Sequence, residues 1–159
     1  MKSVKQLAFA ALLSLGALGA ITMVSCNKED DPVGCPVGYE GDDCATEIRA
    51  KFEGTWTAQD EETDGTELAA YNAIITKNTS SITKLNIGNF SDGYYDVNVV
   101  VNASTSTFDI PAQDPDEDGY QVEGSGSLDI ETNVISVEYT ITEVSSGLVK
   151  SYTGTWTKI

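Results

Sequence analysis

The sequence predicts an all-β chain whose folded part is a single antiparallel meander of eight strands closing into a barrel. Three observations predict it. Apolar and polar residues alternate repeatedly from Phe52 to Ile159, turn-forming residues interrupt the alternation at short intervals, and no stretch there carries helical periodicity of useful length. The predicted strands fall near residues 52–59, 67–77, 82–88, 94–103, 106–111, 119–131, 134–144 and 148–158.

The later strands make the case best. "YDVNVVVNA" sets Tyr95, Val97, Val99, Val101 and Ala103 on one face. "YQVEGSGSLDI" sets Tyr120, Val122, Gly124, Gly126, Leu128 and Ile130 opposite Gln121, Glu123, Ser125, Ser127 and Asp129, and "ISVEYTI" aligns Ile135, Val137, Tyr139 and Ile141. Neighbouring strands must turn their apolar sets to the same side. With Thr132-Asn133 and Ser146-Gly147 as two-residue turns, Leu128 faces Val137, Val137 faces Trp156, Tyr139 lies between Gly126 and Gly154, and Glu143 faces Lys150. Inward glycines in long strands also permit the bending that closure of a barrel requires.

Ahead of this domain Lys2 and Lys5 precede an uncharged apolar run from Leu7 to Val24, the shape of a secretory signal. An uncleaved membrane anchor is the alternative that its length allows. "MVSC" resembles a bacterial lipobox, with Met23 in place of the usual leucine, which implies a signal peptide over residues 1–25 and acylation of Cys26, palmitate included. One acyl chain gives reversible attachment and several together give durable anchoring. The following "NKEDD" resembles the lysine-plus-acids signal that sends Gram-negative lipoproteins to the outer face of the outer membrane; a solvated acidic linker over residues 26–34 is the plainer alternative.

Lipidation of Cys26 leaves Cys35 and Cys44 as a pair in an oxidising compartment, where they are expected to be bonded. "CPVGYEGDDC", residues 35–44, is similar to the last disulfide loop of an EGF-like module, but the cysteine which that pattern places two residues upstream is Val33 here. The resemblance therefore implies a stapled loop and no EGF-type receptor or calcium binding. Closing so short a loop contributes roughly 2 to 3 kcal/mol.

The word "GTWT" occurs at Gly54–Thr57 and again at Gly154–Thr157. Gly-x-Trp on an opening strand resembles the signature of the calycins, the lipocalin-like barrels. That resemblance implies a barrel over residues 50–159, a tryptophan plugging one end, and a basic residue packed over it, for which Lys158 and Arg49 are the candidates.

The 159 residues, 40 % of them apolar, suit one ordinary domain with targeting and linker segments. Nine Lys and Arg against 25 Asp and Glu give a net charge of -16, which repels phosphate backbones, so no nucleic-acid partner is expected. The chain has no histidine, which excludes Ser-His-Asp and Cys-His chemistry. Asp96, Asp109, Glu123, Asp129 and Glu138 fall in loops or on the outward parity and nominate no catalytic pair, so no enzyme is expected. Tyr71, Tyr94, Tyr95, Tyr120 and Trp56 suit a sugar or apolar ligand, although aromatics on strands more commonly form core. Asp114, Asp116 and Asp118 precede Gly119 at the spacing of a calcium loop, but the twelfth position is Ser125 rather than a glutamate. A solvated hairpin loop is the expectation, with weak calcium binding at roughly 0.1 to 1 mM as the alternative and no other cofactor. Taken together, these features suggest a non-catalytic module anchored to the membrane by lipid, exposed at the outer-membrane surface, and binding a small molecule, glycan or protein. A structural or adhesion coat with a filled barrel is the second reading, and an envelope hydrolase or protease inhibitor the third.

Overall fold

The computed structural model describes residues 34–102 and 105–159. The leader, Cys26 and the acidic linker as far as residue 33 lie outside the described residues, as do Ala103 and Ser104. Two short strands, β1 (Tyr39–Glu40) and β2 (Thr46–Glu47), pair across the loop that the Cys35–Cys44 disulfide closes. A 3₁₀ segment, Ile48–Phe52, leads from them into the barrel.

The barrel strands are β3 (Gly54–Glu62), β4 (Tyr71–Lys77), β5 (Lys84–Gly88), β6 (Val97–Val101), β7 (Thr107–Gln113), β8 (Tyr120–Asp129), β9 (Val134–Glu143) and β10 (Leu148–Lys158). Every strand pairs antiparallel with its sequence neighbours and β10 closes on β3, the eight-stranded meander barrel that the alternation predicts. The strand ends sort the connections into two groups. The 3₁₀ segment, residues 78–83, 102, 105–106 and 130–133, and the C-terminus share one end; residues 63–70, 89–96, 114–119 and 144–147 share the other.

The first end is plugged. Trp56 and Phe52 are fully buried, the Trp56 indole N–H donates to the Phe52 carbonyl at 2.9 Å, and Phe52 meets Phe108 edge-on with ring centroids 5.6 Å apart. Lys158, rather than Arg49, lies over Trp56, with its Nζ 5.1 Å from the ring centroid. Arg49 instead braces the β4–β5 connection, its Nη1 donating to the carbonyls of Asn78, Ser81 and Lys84 at 2.7, 2.7 and 2.9 Å. Gly54 of Gly-x-Trp has φ +130°, and a side chain there would press on the Lys158 stem. The word thus encodes both a backbone conformation and the seat for the cation.

Register departs from the two-residue turns. Asp129 pairs with Val134 and Glu143 with Leu148, so both connections have four residues and both pairings slip by two while parity survives. The Asp129 carboxylate accepts the N–H groups of Glu131 and Thr132, and Asn133 and Gly147 take positive φ, which widens the two turns. Leu128 therefore faces Ile135, Val137 faces Gly126 and Gly154, and Tyr139 lies between Gly124 and Tyr152. The Phe108 ring covers Gly126 and the Asp60 carboxylate covers Gly154. Lys150 pairs with Glu62 at 2.9 Å, not with Glu143. Tyr95 is 64 % exposed, because Asp96 takes φ +60° and breaks the alternation just before β6.

Between β6 and β7 the backbone ladder pairs only Val100 with Asp109 and Val101 with Phe108 before Pro111 and an irregularity interrupt β7. The Gln113 side-chain amide fills the gap, accepting from the Asn98 N–H at 2.8 Å and donating to the Asn98 carbonyl at 2.7 Å. It supplies the rung that proline cannot.

Gly154→Ala would drive a methyl group into the Asp60 carboxylate and Val137, whereas Gly93→Ala meets open space. Urea unfolding should show a loss of about 3 kcal/mol for Gly154→Ala and nearly none for Gly93→Ala.

Candidate functional site

The barrel's inward positions alternate along β3 as Trp56, Ala58 and Asp60, so the pattern that buries a tryptophan also buries a carboxylate. Asp60 has no exposed surface. A buried carboxylate is tolerable only where donors replace its lost water. Three converge here: the hydroxyls of Tyr71 and Tyr139 donate to Oδ2 at 2.6 and 2.7 Å, and the Trp156 indole donates to Oδ1 at 2.9 Å. β4, β9 and β10 each contribute one donor, so the carboxylate ties four strands together.

The cluster extends upward into the 89–96 connection. The Ser91 N–H donates to the Tyr71 hydroxyl at 3.1 Å, and the Ser91 hydroxyl, 3.0 Å from the Tyr139 oxygen whose own proton goes to Asp60, donates to it. Phe90, fully buried, packs with its ring centroid 4.6 Å from Tyr139 and 5.9 Å from Trp156, and Tyr139 stacks on Tyr152 at 5.0 Å. Asn89, Ser91, Asp92 and Asp96 all have positive φ, so this connection is a tightly folded cap whose phenylalanine fills the barrel axis. Burial, followed by the negative charge of Asp60, pushes the Tyr71 and Tyr139 hydroxyls far above the usual tyrosine range. Nearer the surface Tyr94 is pushed up to about 12, by burial first and then by Asp118 and Tyr120.

The cap end presents a surface of one sign. Its four connections carry Asp64, Glu67, Asp92, Asp96, Asp114, Asp116, Glu117 and Asp118 and no lysine or arginine. Of the six bases among the described residues, Arg49, Lys51, Lys77, Lys84 and Lys158 lie at the plugged end, and Lys150 is bound to Glu62. Along the outer wall of β7 to β10 runs an open groove of about 700 Å³ lined by Pro111, Glu123, Ser125, Glu138 and Thr140 among others.

Asp114, Asp116 and Asp118 sit together in the β7–β8 connection, but their carboxylates serve the loop itself. Asp114 accepts from the N–H groups of Asp118 and Gly119, Asp118 from Tyr120, and Asp116 from Tyr95. Among the described residues no three acidic, histidine or cysteine side chains are grouped to hold a metal ion. Cys35 and Cys44 are joined, and Cys26 lies outside the described residues. Asp109, Glu123 and Glu138 are exposed on the wall, and Trp56 and Tyr71 are core. Sequence reasoning missed Asp60 because the first predicted strand ended at residue 59. Continuing its parity from Trp56 and Ala58 by one step finds it. Compared with known proteins, the chain matches no family model and no curated protein.

The tyrosine environment fixes a pH response. Unfolded, Tyr71 and Tyr139 titrate near pH 10; folded, they keep their protons well above it. Above pH 10 the unfolded state therefore binds fewer protons, so stability is flat below that pH and falls above it. The expected slope is about 1.4 kcal/mol per pH unit for each of these two tyrosines, with Tyr94 and Tyr152 adding to it, and Tyr71→Phe should remove the Tyr71 share. Denaturant midpoints measured across the alkaline range, with phenolate absorbance, check both.

Proposed function

We propose that this chain is a non-catalytic interaction module of the Gram-negative outer-membrane surface, anchored through acyl groups on Cys26 and presenting its acidic cap end away from the membrane. The observation that carries the reading is where the anchor-side segment docks. The stapled loop packs on the plugged end: the Ile48 N–H donates to the Gly38 carbonyl, Lys51 Nζ meets Glu40 at 2.9 Å, and Gly38 abuts Ile82 of the β4–β5 connection. Chain leading from a lipidated cysteine therefore enters at the plugged end, opposite the acidic cap.

Kinship with the calycins is part of this reading, supported by Gly54, Trp56 and Lys158 acting together at the plugged end. The EGF-like character of the stapled loop draws support from Gly38 and Gly41, both at positive φ within the Cys35–Cys44 loop. The second reading, a structural or adhesion coat, is favoured by the filled interior, where Trp56, Trp156, Phe52, Phe90 and Phe108 have no exposed surface. In either case contacts with other molecules use the outside of the barrel.

Surface labelling tests the proposal. Ser145→Cys at the cap end and Thr132→Cys at the plugged end are both exposed positions. On intact cells a membrane-impermeant maleimide should modify the first variant several-fold faster than the second, and Cys26→Ala should release the protein from the membrane fraction. Faster labelling at residue 132 would reverse the orientation, and labelling only after lysis would reject surface exposure.

A further inference from the structure

We propose that the rim of the cap end binds a cationic amphipathic peptide segment, one carrying lysine or arginine beside apolar side chains. Five large apolar residues lie along this rim and are not covered: Tyr95, Tyr120, Val144, Leu148 and Val149. Val144 and Leu148 are 62 % and 56 % exposed.

Backbone pairing brings the rim residues together in an arc. Tyr120 pairs with Glu143, Glu143 pairs with Leu148, and Val149 pairs with Thr142. The Val144 N–H donates to the Gly119 carbonyl, which joins the β9–β10 turn to the β7–β8 connection. From there the Tyr95 N–H reaches Asp116 Oδ1 at 3.4 Å, so the arc runs on to the 89–96 cap. Exposed apolar side chains gathered along one rim, with Tyr120 and Leu148 flanking Glu143 on one face and Val149 on the other, mark an interaction site.

Charge selects the occupant. Asp92, Asp96, Asp114, Asp116, Glu117, Asp118 and Glu143 border the arc, and the nearby base, Lys150, is paired with Glu62. A second copy of this chain would set one acidic rim against another, and anionic lipid or nucleic acid is repelled for the same reason. A strip that is apolar in contact and negative at its border fits a partner that is apolar in contact and positive at its border. Among the described residues the stapled loop lies at the opposite end and nothing covers the rim. This inference deepens the reading of the cap end as the presented surface.

Binding is read on the full-length protein in phosphatidylcholine vesicles, with protein-free vesicles as the blank. The probe is a short synthetic peptide of lysines and leucines, and the control replaces each leucine with serine. The lysine-leucine peptide should bind saturably above the blank and weaken as salt rises. Asp116→Asn with Asp118→Asn, and separately Leu148→Ser with Val149→Ser, should each weaken it about tenfold. The wall pair Asp109→Asn with Glu138→Gln should leave it unchanged, which places the contact on the rim and not in the outer groove. The inference is overturned by no binding above the blank, by equal binding of the lysine-serine control, or by equal weakening in the wall variant. Because the vesicle assay does not depend on how the barrel sits on a cell, failure of the surface-labelling result and failure of peptide binding are separate outcomes.

Discussion

A carboxylate sealed inside an apolar barrel is the constraint around which the upper half of this protein is arranged. Asp60 needs donors on both oxygens, and only inward side chains of other strands can supply them. Trp156 must therefore present its indole N–H upward, Tyr71 and Tyr139 must meet across the axis, and residue 154 must lack a side chain. The two tyrosine hydroxyls then have capacity left over, which Ser91 takes up. Removing the carboxylate would strand three buried donors at once, a loss of several kcal/mol and not the modest value of one hydrogen bond.

The two copies of "GTWT" show what a short word conveys and what it leaves out. Both tryptophans are fully buried, and the shared alternation is sufficient to place them there. Their glycines, however, exist for different reasons. Gly54 has φ +130° beneath Lys158, while Gly154 makes room for Asp60, a residue far away in sequence. Strand existence and parity were legible because every strand repeats the same local signal. Register in the last two hairpins was not, since it hinges on whether Asp129 and Gly147 build four-residue connections, and a slip of two leaves the apolar pattern intact. Tyr95 was misplaced because one left-handed residue, Asp96, ends an otherwise regular alternation. Asp60 was missed because a strand end read from propensity stops where acidic residues begin, whereas burial depends on partners that arrive from three other strands.

Charge segregation follows from the same topology. In a meander barrel alternate connections lie at opposite ends, so residues far apart in sequence are pooled by end. The acids of three separate connections sum into one negative surface with no base among them, whereas the bases of the 3₁₀ segment and the ends of β4, β5 and β10 gather at the other end among carboxylates that pair with them. Nothing in a linear count of charges reveals this; a net charge of -16 describes a uniformly acidic chain and a polarised one equally well. Polarity of this kind acts on orientation and on partner choice through long-range fields rather than on folding.

An eight-stranded barrel is just wide enough to be filled by its own side chains, and this one is filled from the Trp56 plug to the Phe90 cap. Filling removes the interior as a place to hold a ligand, but it also removes the motion that a hollow barrel leaves at its mouth. Ser91 is fastened to Tyr71 and Tyr139, Phe90 is inserted, and the β9–β10 turn is tied to Gly119. A surface ordered before contact loses less conformational entropy when a partner arrives. The hub at Asp60 thus connects core and rim: the hydrogen bonds that make its burial tolerable also hold the backbone of the cap in a fixed shape.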